Sequence, residues 1–107
     1  MDMEHVGENY ALSEVEKIST FLNQHPSLET LLDESYHAIK GYFKDSDLRL
    51  DLIHDDDAKS DYLLISIVTD VANVDEILQR FDEFRQRKWL AILERADSML
   101  TVDVEFR

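Results

Sequence analysis

The chain has 107 residues and a formal net charge of −13, from 24 acidic against 11 basic side chains. That length fits one domain, and the acidic field repels nucleic acid and anionic membrane and favours basic partners. The absence of cysteine excludes disulfides, thiolate metal sites and cysteine nucleophiles. There is no apolar run of bilayer length and no basic leader, which predicts a cytoplasmic protein with no membrane partner.

Residues 1–12 carry Gly7 and no sustained periodicity, so they are expected to be a mobile tail, or an arm that orders on a partner. Residues 13–107 are expected to form a single domain. Ser13-Glu14-Val15-Glu16 has the spacing of a capping box and predicts the start of a first helix, with Ile18, Phe21 and Leu22 as its apolar stripe. Pro26 ends it, because the residue before proline is pushed out of helical geometry. Ser27 is the expected N-cap of a second helix. There Leu28, Leu31, Leu32, Tyr36, Ile39 and Phe43 recur at three- and four-residue spacing.

From Asp47 to Ile53 the pattern changes to strict alternation. Leu48, Leu50 and Leu52 point one way; Asp47, Arg49 and Asp51 point the other, which predicts a half-buried strand. The polar stretch His54–Asp61 joins it to Leu63–Thr69 as a hairpin. That second strand is nearly all apolar and β-branched, as suits a central strand over 62–69. Asn73-Val74-Asp75-Glu76 repeats the capping pattern and opens a third helix. Its stripe runs through Val74, Ile77, Leu78, Phe81 and Phe84 to Trp89, Ile92, Leu93 and Ala96. The stripe drifts near Gln86–Lys88, predicting a kink or a break into two helices. Leu100, Val102, Val104 and Phe106 then alternate as a last strand.

The expected fold is therefore α+β, in ααββαβ order, with a three-stranded mixed sheet packed with three helices. A right-handed crossover makes the last strand parallel to the central one. Leu64 and Val68 fall on the face away from those helices, so either a helix or a second copy in a homodimer is expected to cover them.

Chemistry-bearing motifs are sparse. Asp55, Asp56 and Asp57, with His54 before and Asp61 after, form the densest carboxylate cluster. It has neither the glycine nor the ligand spacing of a calcium loop, so no metal ligand is assigned. With only two glycines, Gly-rich phosphate loops are excluded, and no nucleophile elbow is present. The chain is expected not to be an enzyme and to need no cofactor. Arg80, Arg85, Arg87, Lys88 and Arg95 gather along the third helix around Trp89, either as internal ion pairs or as a binding patch.

Phe21-Leu22-Asn23-Gln24-His25-Pro26, Leu31 through Tyr36, Phe81-Asp82-Glu83-Phe84, Trp89-Leu90 and Asp103-Val104-Glu105-Phe106 resemble a pattern of small uncharacterised bacterial α+β proteins. The resemblance covers nearly everything after residue 12. It implies this layout and transfers no catalytic residue, and Lys88 stands where the pattern has a second tryptophan. The expected function is a protein–protein interaction module, antitoxin-like or immunity-like, that covers a basic partner. Its contact residues would be Asp47, Asp51, Asp55, Asp56 and Asp57, with Trp89 as the aromatic anchor. The alternative is a small-ligand or metal-responsive binding domain.

Overall fold

A computed structural model describes residues 3–57, 60–97 and 99–107. Helix α1 (Met3–Asn9) leads into a two-residue strand β1 (Ala11–Leu12), then helices α2 (Val15–Gln24) and α3 (Ser27–Tyr42). Strands β2 (Asp47–Asp55) and β3 (Ser60–Thr69) form the hairpin. Helix α4 starts as Val74–Phe84, passes through a π-helical turn Arg85–Trp89 and continues as Leu90–Arg95; strand β4 (Leu100–Phe106) follows.

The sheet has four strands in the order β1-β2-β3-β4. β1 is parallel to β2, β2 antiparallel to β3, and β3 parallel to β4. This corrects the expected three-stranded sheet with three helices: among the described residues there are four strands and four helices. The additions come from the segment expected to be a tail. Val6 and Tyr10 are only 2% and 3% exposed, within the same core as α3 and the sheet. The Tyr10 hydroxyl donates to the Leu32 carbonyl at 2.7 Å. So few buried side chains leave no periodic trace in the sequence; tertiary contact supplies the order.

Register fixes the two faces of the sheet. Leu48, Leu50 and Leu52 pair with Ile67, Ile65 and Leu63, while Leu100, Val102 and Val104 lie beside Leu63, Ile65 and Ile67. The strand residues that are fully buried lie on this face, where the helices pack. On the opposite face only Ser66 is buried among the described strand residues. Arg49 reaches across β3 there and binds Glu105 on β4 through two bonds of 2.7 and 3.1 Å. The Arg49 stem therefore crosses at Ser66, its register partner, on the face where Leu64 and Val68 are half-buried.

The helix starts use less side-chain capping than the sequence suggests. Ser13 precedes the N-cap, and its hydroxyl and amide both bind the Leu50 carbonyl, at 3.3 and 3.2 Å. It extends the β1–β2 pairing instead of capping α2. Pro26 occupies the N-cap of α3 and makes Ser27 the first helical residue. Asn73 is the N-cap of α4 but is left-handed, with φ 60° and no side-chain cap bond; asparagine tolerates that region better than most residues.

The drift in the stripe of α4 is a π turn. Phe84 and Trp89 are five residues apart, which in a regular α-helix separates them by about 140°. One wider turn with i→i+5 bonding returns Trp89 to the core. Its ring centroid is 6.1 Å from that of Phe84, and both residues are buried.

Candidate functional site: a groove at the hairpin end

A groove of about 880 Å³ lies between α2 and the far end of the β2–β3 hairpin. Its rim is charged: Glu14, Glu16 and Lys17 from the first turn of α2, with His54 and Asp61 from the strands. Phe21 and Leu52 contribute apolar surface, and Thr20 and Gln24 complete the helix side. The groove exists because the strands are long. β2 has nine residues and β3 ten, so at about 3.3 Å per residue the hairpin spans about 30 Å. α2 has ten residues and at about 1.5 Å each covers about half of that.

Local pairs order the rim. Lys17 Nζ lies 3.0 Å from Glu14 Oε2. The two ring nitrogens of His54 face different carboxylates, Nδ1 at 2.6 Å from Asp61 Oδ1 and Nε2 at 3.0 Å from Asp56 Oδ1. This bracing across the hairpin leaves a rim with three carboxylates against one lysine and one histidine. Such a site suits a long cationic side chain, whose methylenes rest on Phe21 and Leu52 while its head group meets the carboxylates. Among the described residues no group of three or more His, Cys, Asp or Glu side chains is arranged to hold a metal ion.

The expected partner-binding residues do not form one surface. Asp47 stands at the start of β2 on the open sheet face, 2.7 Å from Arg107 Nη1. The Arg107 hydrogen bond, reinforced by its charge, holds the Asp47 carboxyl below the usual carboxylate range. Asp51, on the same face, accepts from Arg49 Nε at 3.0 Å. Asp55 ends β2, with its side chain outside the described set, and Asp56 and Asp57 form the turn. About 26 Å of strand separates Asp47 from Asp55. Trp89 is 3% exposed, so it packs in the core and presents no anchor at the surface. Nor do the arginines of α4 form a free patch. Arg80 binds Glu76 at 2.8 Å, Arg87 lies 3.4 Å from Glu83, and Arg95 binds Glu34 on α3 at 2.6 Å. Arg85 sits over the Phe81 ring, 5.8 Å from its centroid.

The sequence points to no site at Glu14, Glu16 or Phe21, and it groups Asp61 only with the hairpin carboxylates. Glu14 and Glu16 fitted a capping motif, and nothing in the spacing of Asp61 connects it with α2. No protein-family model matches the chain, and no curated protein or solved structure matches it. No helix among the described residues is long and apolar enough to cross a membrane.

Proposed function

We propose that the chain is a protein-binding module that takes a basic segment of a partner, in an antitoxin-like or immunity-like role. The observation that carries this reading is the groove at the hairpin end, with apolar Phe21 and Leu52 beneath a rim of Glu14, Glu16 and Asp61. The surrounding charge supports it. Most of the described arginines already have carboxylate partners, and the net charge of −13 remains. That excess steers a cationic partner over long range and weakens with salt. A small cationic ligand in the same groove is the second reading, since the volume falls within the usual range of ligand pockets.

The test is retention of proteins from native lysate on the immobilised chain at low and moderate salt. A basic protein should be held at low salt and released as salt rises. A Glu16→Lys/Asp61→Lys variant of unchanged melting temperature should lose it, whereas Asp47→Lys should retain it. Equal retention by the groove variant would refute the assignment. Thermal shift with the diamine cadaverine addresses the second reading, because a ligand that binds the folded state raises the melting point by mass action.

A further inference from the structure

The outer edge of β4 is a second place where the fold is unfinished. Among the described residues no strand pairs with it. The Leu63 amide donates to the Met99 carbonyl at 2.9 Å and the Arg107 amide to the Thr69 carbonyl at 3.0 Å. Odd-numbered residues of β4 thus turn their backbone groups toward β3, and Val102, Val104 and Phe106 turn theirs outward. Val104 shows this directly: its amide is taken by the Asp103 carboxylate at 2.8 Å.

The helix that leads into β4 exposes apolar side chains. Leu78, Leu90 and Leu93 of α4 are 44%, 54% and 37% exposed. Arg80 and Arg95 turn toward α3, at Tyr42 and Glu34. Leu78 and Leu93 each lie two residues before one of these arginines, about 200° round the helix, and so face away from α3. α1 and α2 both touch α3, α1 leads into β1, and α2 touches β2, so the free flank of α4 is on the β4 side of the helical layer.

We propose that β4 accepts an additional strand from a partner in which basic and apolar residues alternate. The free backbone groups fix the mode as strand addition. Alternate side chains of the incoming strand would meet Leu90 and Leu93 on the helical side. The others would meet Asp103 and Glu105 on the open sheet face. Glu105 already shares Arg49, whereas Asp103 has no cationic partner among the described residues. A lysine or arginine opposite Asp103 draws its carboxylate off the Val104 amide and frees that donor for pairing. Self-association through the same edge is disfavoured in the antiparallel register that pairs the whole of β4 with its copy, because that register sets Asp103 against itself, and directly opposed like charges repel. Asp103 therefore guards the edge against a second copy while selecting a cationic strand. This surface is separate from the groove and shares with it only the basic character of the partner.

The test uses the full chain, a ten-residue peptide alternating lysine and valine, and its glutamate–valine counterpart. Binding is followed by amide hydrogen exchange and fluorescence anisotropy. The lysine peptide should slow exchange at Val102, Val104 and Phe106 at least tenfold, and the glutamate peptide should not. Asp103→Lys should weaken lysine-peptide binding at least tenfold. Val104→Pro, which removes an outward donor not used by β3, should do the same with β4 otherwise intact. Glu16→Lys/Asp61→Lys should leave this binding unchanged, which separates the edge from the groove. Unaltered exchange along β4, equal binding of both peptides, or binding lost only in the groove variant would overturn the proposal.

Discussion

Tyr10 tests whether the N-terminal segment belongs to the cooperative core. Tyr10→Phe deletes a single hydroxyl, whose hydrogen bond to the Leu32 carbonyl is 2.7 Å long and buried. Leu32 lies inside α3, so its carbonyl keeps a helical partner and no buried group is orphaned. The cost should then be that of one ordinary hydrogen bond, about 0.5–1.5 kcal/mol. The sign reverses at high pH. Burial, with the nearby Asp33 and Tyr36 adding to it, raises the Tyr10 hydroxyl well above its ordinary value near 10. The unfolded chain releases this proton above pH 10 while the folded chain holds it, so the wild type loses about 1.4 kcal/mol per pH unit from there upward. Tyr10→Phe escapes that loss, and the two stability curves should cross between about pH 10 and 11. Urea unfolding followed by Trp89, the single tryptophan, measures both effects between pH 8 and 11.5. Curves that coincide at pH 8 and stay parallel to pH 11.5 would refute the reasoning and detach residues 3–12 from the cooperative unit.

Four further outcomes follow from the geometry. Deleting Gln86 should convert the π turn into regular helix and return the buried stripe to three- and four-residue spacing, with stability held to within about 1 kcal/mol. Deleting Ala91 should swing buried Ile92 out of the core and cost about 2 kcal/mol or more in urea unfolding. Gly41→Ala should stabilise the chain by about 0.4–1 kcal/mol, because Gly41 is helical and a Cβ there meets open space. The Asp47 carboxyl should titrate below the ordinary carboxylate range by NMR, and Arg107→Gln should move it back toward that range. Its depressed value means that the Asp47–Arg107 contribution is present at neutral pH and is lost as pH falls through the titration of Asp47.

Periodicity alone determined α2, α3, β2, β3 and β4, because each buries a face whose repeat matches 3.6 or 2 residues. The parallel pairing of β3 and β4 followed from chain order. The disturbance in α4 was visible as a drift of the stripe, although only packing decided that the helix widens by one π turn instead of kinking or breaking; Trp89 gains its place beside Phe84 that way. Of the candidate site, the acidic character was legible and the place was not. Asp47 and Asp51 resemble the hairpin aspartates in sequence, yet strand length puts Asp47 at the far end of β2 and Asp51 at its middle, where Arg107 and Arg49 bind them. The groove joins Glu16 to Asp61 only because the hairpin outruns α2. The N-terminal segment escaped for a related reason. Its helix and its two-residue strand bury too few side chains to show a repeat, and they gain order from β2 and α3, which lie far away in sequence. Local pattern thus determined the elements that carry their own hydrophobic face. Tertiary structure decided the elements and surfaces whose free energy comes from residues elsewhere in the chain.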